Sequence, residues 1–510
     1  MTVARQYERI LPILSAAQKI AWALFLVFLP VSSFPFFPPA IGGGALVRPL
    51  SIYPLILLLV LVTLPRLVRE PIPRTLVVLV PFIVFATASS LLSLLNGVEP
   101  ALGISVAERV LRALITLGIG VGFYYTVALY SRTSEDLRLS LRWMYAGLGL
   151  ALLWGSLQTL YVIHYNHRWF TFLSEIQQYV SMRRLISTRV SGLTYEPNWF
   201  AEQISFLFLP WLLASVLSGY TVFRWRWRWV TVELFLLGWS VAVLAFTFSR
   251  AGLANLIGLG LLGLLFLRPQ RSPKREKKGS PWRVWTVRTF EVAFLLVMFA
   301  GLVRVAGTKN AFFARLWGYW LRDSQTSLTG YFEYLGFGAR FVYGTAAYNT
   351  YSAYPVFGVG LGNYGFYFEE MLPDRPLGSM PEILRILTPD EGRNRLITAK
   401  VFYLRLLAET GLAGTAAFFA FLVAVLGCAL YLWLSPHQEH KFWGRAGLLG
   451  LAAFLLAAFS FDSFAIPNMW IVFGLITGSA WVASRQPPAE PEIVPAEPVD
   501  IGTFVPAQGD

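Results

Sequence analysis

The sequence carries little charge and almost no cysteine. Of its 510 residues only 14% are charged, against about 25% in soluble domains, while 56% are hydrophobic. A soluble globular protein is therefore excluded. The single cysteine, Cys428, excludes an intrachain disulfide. The four histidines have no cysteine or acidic cluster beside them, so we predict no metal and no cofactor.

Apolar runs of about 20 residues, each long enough to cross a bilayer, recur along the chain. They lie at about 20–36, 50–65, 75–95, 110–130, 144–163, 198–218, 229–247, 251–267, 289–306, 412–434, 446–463 and 468–484. The sequence therefore predicts an all-α polytopic membrane protein with about 12 transmembrane helices. The predicted domains are a membrane part, 1–306, an external loop cap between spans 9 and 10, 307–411, a second membrane part, 412–485, and a disordered cytoplasmic tail, 486–510.

The net charge of +14 sits mainly in alternate connections between the apolar runs, including a basic tract at 268–288. Basic loops mark the cytoplasmic side of a membrane protein. We therefore expect this tract to contact anionic membrane lipids rather than nucleic acid. The same rule places both termini in the cytoplasm and the long segments at about 164–197 and 307–411 outside.

Arginines on the predicted outer face are candidate anion ligands. Arg250 stands at the start of a predicted span, where a helix N-terminus and a guanidinium together suit a phosphate group. Arg189 and Arg340 are expected on the same side, so an anionic lipid headgroup is indicated. An arginine that only reaches to the membrane interface is the alternative for Arg250.

Two further motifs each allow a structural and a functional interpretation. Glu196 and Asn198 flank Pro197 at the start of the sixth span, which is typical of a helix N-terminus but also directs polar groups outward. Gly360 and Gly362 belong to a stretch that matches a dinucleotide-binding pattern literally, without the strand and helix that pattern needs. These glycines indicate a tight turn, or a backbone that approaches a phosphate closely.

Four segments, in order, resemble the superfamily of O-antigen ligases and O-antigen polymerases of bacterial polysaccharide synthesis. The matching residues are Arg189-x-x-Gly192 with Pro197-Asn198-x-x-Ala201, Thr247-x-Ser249-Arg250, Arg340 with the stretch from Pro355 to Asn363, and Tyr403-Leu404 with Glu409-Thr410-Gly411-Leu412. The resemblance covers about 185–415. One position departs from it, because Lys400 and Val401 stand where the family usually has His-Asn, and that histidine is regarded as catalytic in ligases.

The resemblance implies a glycosyltransferase of the bacterial inner membrane that moves a glycan from a polyprenyl diphosphate carrier to an acceptor sugar on the outer face. We predict that Arg250 and Arg340 stabilise the leaving diphosphate. Candidates for the base that takes the proton of the acceptor hydroxyl are Glu196, Lys400 and Glu409. The alternative role for Lys400 is to bind the diphosphate through its charge. Predicted substrate-binding residues are Arg189, Asn198, Ser249, Gly360 and Gly362. The Glu-Pro-Asn motif is closer to polymerases than to ligases.

Other functions remain open at this point. A ligase that attaches polysaccharide to a lipid is the nearest alternative, and a lipid-linked sugar flippase or a non-catalytic scaffold that binds the carrier belongs to a different class. Expected partners are the polyprenyl-diphosphate-linked glycan, membrane lipids, and a chain-length regulator or other polysaccharide-assembly proteins.

Overall fold

The computed structural model describes residues 2–38, 45–228, 230–267, 301, 304, 314–315, 318–321, 327–373, 381–388 and 396–486. The basic tract 268–288, nearly all of the predicted ninth span and the predicted tail beyond Gln486 lie outside these residues.

The described part of the chain is mostly helical, as predicted. Its helices are α1 Thr2–Val27, α2 Ile52–Arg69, α3 Arg74–Leu95, α4 Val106–Tyr130, α5 Ser134–Ile163, α6 His167–Gln177, α7 Pro197–Ser218, α8 Val232–Phe246, α9 Arg250–Leu262, α10 Leu328–Tyr334, α11 Gly338–Ala353, α12 Tyr364–Tyr367, α13 Pro381–Leu387, α14 Phe402–Trp433, α15 Gln438–Ala457 and α16 Pro467–Ser484. Two short antiparallel strands, β1 Arg226–Trp227 and β2 Val230–Thr231, lie between α7 and α8.

Among the described residues, six helices are long and apolar enough to cross a membrane, namely α2, α3, α4, α5, α7 and α14. Each predicted span except the ninth overlaps a described helix. Large apolar side chains also stay exposed on the outside of the bundle, as Val60, Leu160 and Val423 do. Lipid covers such a surface without cost, whereas water does not. These features are consistent with a membrane protein.

The first predicted span, 20–36, is helical only in its first part, because α1 ends at Val27. Pro30 has no amide proton and disfavours a continued helix. The chain then returns in an extended form, and the Phe34 amide donates to the Arg48 carbonyl at 2.8 Å. This return places Leu29 and Ser32 beside the N-terminal end of α7, where Gln203 Nε2 donates to the Leu29 carbonyl at 2.8 Å.

Local sequence signals account for the helix starts that surround the site. The hydroxyl oxygen of Ser249 accepts a hydrogen bond from the Gly252 amide and so caps α9. Pro197 and Pro467 occupy the first turns of α7 and α16, where the missing amide proton costs nothing.

A break in α14 divides the helix at Gly411, whose φ is 62° and ψ −168°. Only glycine adopts this conformation readily. The break falls where the boundary between the loop domain and the tenth span was predicted, at 411 and 412. Residues 402–410, predicted to belong to the loop domain with a helical pattern over Ile397–Leu407, form a helical piece before it.

The segment from α11 to α13 has a small hydrophobic core of its own. Its buried side chains include Val342 and Tyr343 of α11 together with Phe368 and Ile383, and Ala408 joins the cluster to α14. The Tyr343 hydroxyl donates to the Glu382 carboxylate at 2.8 Å. The segment is therefore packed against the helix bundle.

Candidate functional site

Arg189 joins two helix starts that are distant in the sequence. Its Nε donates to the Thr247 carbonyl at 2.8 Å, and its Nη2 donates to Asn198 Oδ1 at 2.8 Å. The first contact holds the turn between α8 and α9, and the second holds the start of α7. The predicted substrate-binding residues Arg189 and Asn198 are therefore brought together, with Asn198 exposed at the surface.

The turn before α9 is tight and places Arg250 in the first turn of that helix. Phe248 has a positive φ of 48°, which is uncommon for a residue other than glycine. Ser249 is buried and caps α9 through its side chain, so its hydroxyl is used within the protein. A Cβ on Gly252 would lie 2.7 Å from that of Ala201, so α9 packs closely on α7.

Arg250 contacts the segment that leads into α11. Its Nη2 donates to the Leu335 carbonyl at 2.9 Å, and its guanidinium carbon lies 5.4 Å from the centre of the Phe337 ring. Arg315 and Arg340 both lie near enough for their charges to act on the Arg250 guanidinium. The structure thus brings Arg250 and Arg340, predicted to act together, to one place.

We call Arg189, Arg250, Arg315 and Arg340 the arginine cluster. The charge of Arg250 also acts on Arg189. Burial lowers the pKa of the Arg189 guanidinium, Glu196 opposes this shift, and the charges of Arg250 and Arg183 add to it. Holding several guanidinium groups close together, partly removed from water, is electrostatically unfavourable. A bound anion offsets this repulsion because its charge is opposite.

Glu196 lies beside this cluster in an ion pair on the surface. Arg183 Nη1 is 3.2 Å from Glu196 Oε2, and the Arg183 guanidinium carbon is 5.4 Å from the centre of the Tyr195 ring. Both charged side chains are partly exposed, so the pair adds little stability. Glu196 is thus open to solvent as well as close to the arginines.

The glycine-rich stretch forms a tight turn that sits on α14. Gly360 and Gly362 both have positive φ, at 89° and 80°. The Gly360 amide donates to the Glu409 carbonyl at 2.9 Å, and the Gly362 carbonyl accepts from Arg109 Nε at 2.8 Å. These backbone groups are therefore used in packing between the turn, α4 and α14, as the tight-turn interpretation predicts.

Glu409 lies in a second group of charges inside the bundle. Its Oε2 is 3.0 Å from Arg405 Nε, and the two side chains are 1% and 11% exposed. Arg405 also donates to the carbonyl of Asp462, and the Asp462 carboxylate accepts the Lys400 amide at 2.7 Å. Lys400 itself has a positive φ of 60° and is half-buried. The Glu409 carboxylate is buried, so a hydroxyl group of a substrate reaches it only if the helix bundle opens. This burial favours a structural role for the carboxylate.

The sequence reasoning missed Arg405 and Asp462. The spacing of Arg405 and Glu409, four residues apart, is a recognisable signal for a helical ion pair. Asp462 is the only charged residue of the predicted span 446–463, and such a charge near a membrane is a signal of function or pairing.

The two groups of charges lie at the same end of the bundle, with Glu202 of α7 between them. The charges of both Asp462 and Glu196 act on Glu202. One end of the bundle therefore combines a basic, anion-attracting cluster with carboxylates a short distance away.

No protein-family model matches the sequence, and a search of curated proteins finds no match.

Proposed function

We propose that this protein crosses a bacterial cytoplasmic membrane about twelve times and transfers a glycan from a polyprenyl diphosphate carrier to an acceptor sugar on the outer face, as an O-antigen-like polysaccharide polymerase. The arginine cluster is the observation that carries the proposal. The resemblance of 185–415 to O-antigen ligases and polymerases supplies the substrate class. The segment 307–411 is then the external loop cap.

In this reaction an acceptor hydroxyl attacks the anomeric carbon of the glycan. The bond from that carbon to the diphosphate oxygen breaks, polyprenyl diphosphate leaves with the electron pair, and the hydroxyl proton passes to a base. Negative charge grows on the diphosphate as the bond breaks. Arg250 and Arg340, already positioned, stabilise that charge more in the transition state than in the ground state.

The base is chosen from Glu196 and Lys400, with Lys400 alternatively a clamp for the diphosphate. Glu196 is supported by its exposure and by its place beside the arginine cluster. Lys400 is supported by its position in the family pattern, where a histidine is usual. Glu409 is the weakest of the predicted bases because it is buried in its pair with Arg405.

The proposal is tested by adding lipid-linked glycan to the purified protein and measuring release of polyprenyl diphosphate. Arg250→Lys and Arg340→Lys should each lower the rate by about 100-fold, because lysine cannot make two parallel hydrogen bonds to one phosphate. Arg112→Lys is the matched control, since Arg112 is an exposed arginine outside the arginine cluster. It should retain nearly the full rate.

Near-normal release from both arginine variants would contradict the assignment of the diphosphate site. Binding of the lipid-linked glycan without release would identify a scaffold, and movement of the intact lipid across vesicles would identify a flippase. Transfer to a lipid acceptor instead of a growing glycan would identify a ligase.

A further inference from the structure

The connection between α7 and α8 exposes an alternation of arginine and tryptophan. Five consecutive exposed residues make up this alternation, and they are Arg224, Trp225, Arg226, Trp227 and Arg228. β1 pairs with β2 in antiparallel register, with Arg226 opposite Thr231 and Trp227 opposite Val230. Successive side chains of a strand point to opposite faces, so Arg226 and Trp227 lie on opposite faces of the pair. We call residues 224–228 and 230–231 the arginine–tryptophan hairpin.

The base of this hairpin is fixed to the helix bundle. The buried Glu233 carboxylate of α8 accepts the Val222 amide at 2.7 Å and the Thr221 hydroxyl at 2.8 Å. Arg142 Nε of α5 donates to the Val222 carbonyl at 2.7 Å. The Glu233 carboxylate is therefore used in holding the base, and the exposed arginines are carried on a rigid support.

Arg228 has a backbone conformation that arginine disfavours. Its φ of 54° lies in the left-handed region. Turns of two residues between antiparallel strands need this conformation, and they usually take Gly or Asn there. The Arg228 guanidinium carbon is 6.0 Å from the centre of the Trp227 ring, within the range at which a cation is attracted to an aromatic face. A positive charge is thus kept beside a tryptophan where glycine fits the backbone better.

The arginines of the hairpin have no carboxylate partner among the described residues. The ion pairs in this part of the chain are made by other arginines, namely Arg112, Arg132, Arg138, Arg183 and Arg405. Three exposed positive charges without an acidic neighbour attract a negatively charged surface.

The hairpin lies at the opposite end of the bundle from the arginine cluster. Asn198 at the start of α7 binds Arg189, whereas the hairpin follows the end of α7 at Ser218. The 22 residues of α7 span about 33 Å, close to the thickness of the hydrocarbon core of a bilayer. The hairpin is therefore placed at the other membrane surface, which the rule of basic connections assigns to the cytoplasm.

The two residue types of the hairpin suit a lipid headgroup region. Trp225 and Trp227 are 59% and 64% exposed, and tryptophan is enriched at the level of the headgroups because its ring is apolar with one polar edge. A guanidinium binds a phosphate group through two parallel hydrogen bonds. A surface that offers both, at the end of a membrane helix, fits a phospholipid with negative charge.

We propose that the arginine–tryptophan hairpin is a binding site for anionic phospholipids of the cytoplasmic leaflet. Arg224, Arg226 and Arg228 bind the lipid phosphate groups, and Trp225 and Trp227 lie at the level of the lipid carbonyl groups. The hairpin thereby selects anionic over zwitterionic lipids at the ends of α7 and α8. This inference does not depend on the transfer reaction, because it concerns the opposite end of both helices.

Lipid binding is measured on the purified full chain in detergent, by titration with phosphatidylglycerol or with phosphatidylcholine and native mass spectrometry. Wild type should bind phosphatidylglycerol more tightly. Each arginine near an anionic surface contributes about fivefold, so Arg224→Gln/Arg226→Gln should weaken phosphatidylglycerol binding about 25-fold and leave phosphatidylcholine binding unchanged. Arg228→Gly should weaken it about fivefold, although glycine suits the turn, so this loss does not come from misfolding.

The matched control is Arg168→Gln/Arg184→Gln, which removes two exposed arginines from the segment 164–197 at the other end of the bundle. It changes the net charge equally, and its affinity for phosphatidylglycerol should stay within about twofold of wild type. An equal loss of affinity in this control and in Arg224→Gln/Arg226→Gln would reduce the effect to net charge and overturn the proposal. Equal affinity of wild type for the two lipids, or unchanged affinity in Arg228→Gly, would also overturn it.

A second measurement locates the bound lipid. Phosphatidylglycerol with a photoreactive headgroup, reconstituted with the full chain in nanodiscs, should attach to the hairpin, as read by mass spectrometry. Attachment to the basic tract 268–288 with none at the hairpin would overturn the proposal. Deletion of the acidic tail 487–510 should leave the affinity unchanged. A large rise in affinity on that deletion would identify the tail as the occupant of the hairpin and overturn the lipid site.

Discussion

The buried ion pair of Arg405 and Glu409 offers a test of the packing between α14 and the glycine-rich turn. Replacing Glu409 by leucine leaves the Arg405 charge inside the bundle without its partner. Breaking a buried pair in this way costs about 3–5 kcal/mol. Arg405 keeps its hydrogen bond to the Asp462 carbonyl, so we expect the lower end of that range, about 3 kcal/mol.

The matched control is the pair of Glu108 and Arg112 on α4, which has the same four-residue spacing. Its side chains are 42% and 45% exposed. An exposed pair of this kind contributes about 0.5 kcal/mol, so Glu108→Leu should change stability little. The contrast between the two variants reports mainly burial, because the spacing and the two residue types are the same, while the order of acid and base is reversed and changes the pair energy by only a few tenths of a kcal/mol.

The assay is equilibrium unfolding in mixed detergent micelles, with Arg405→Met and the double variant Arg405→Met/Glu409→Leu completing the cycle. The double variant should be more stable than the sum of the single changes predicts, because no buried charge is left alone. If Glu409→Leu destabilises the protein no more than Glu108→Leu does, the buried-pair interpretation is refuted, and Glu409 becomes available again as a base.

The remaining predictions concern the break in α14 and the orientation of the chain. Gly411→Ala should destabilise the protein by about 1–3 kcal/mol or more in the same unfolding assay, since a Cβ there would lie 2.3 Å from the Val356 carbonyl oxygen. A Cβ at Gly427 on the same helix meets open space, so Gly427→Ala should be tolerated. Equal effects of the two substitutions would contradict the close packing of the glycine-rich turn on α14. With Cys428 replaced by alanine, Ser352→Cys should react with an impermeant thiol reagent in intact cells and His437→Cys should not; the reverse pattern would overturn the orientation.

Local signals in the sequence were sufficient to locate most of the long apolar helices among the described residues. Apolar runs of bilayer length predicted segments that overlap the described helices, because a helix satisfies its backbone hydrogen bonds within its own segment. Pro197 marked a helix start for the same reason, since the first turn of a helix is settled within a few residues. The first span was predicted too far along the chain, although Pro30 is a local signal for the end of α1. The path of the chain after α1 depends on the pairing of Phe34 with Arg48, a contact that no local pattern encodes.

The composition of the site depended on contacts between distant parts of the chain. Arg189, Arg250 and Arg340 were recognisable one by one as charges near membrane helices, yet their meeting requires that α9 pack on α7 and that the segment before α11 reach Arg250. The second group of charges likewise joins Lys400 and Arg405 to Asp462, residues far apart in the sequence. Periodicity and capping are local properties that a sequence displays directly, whereas which helix faces meet is set by the packing of the whole bundle.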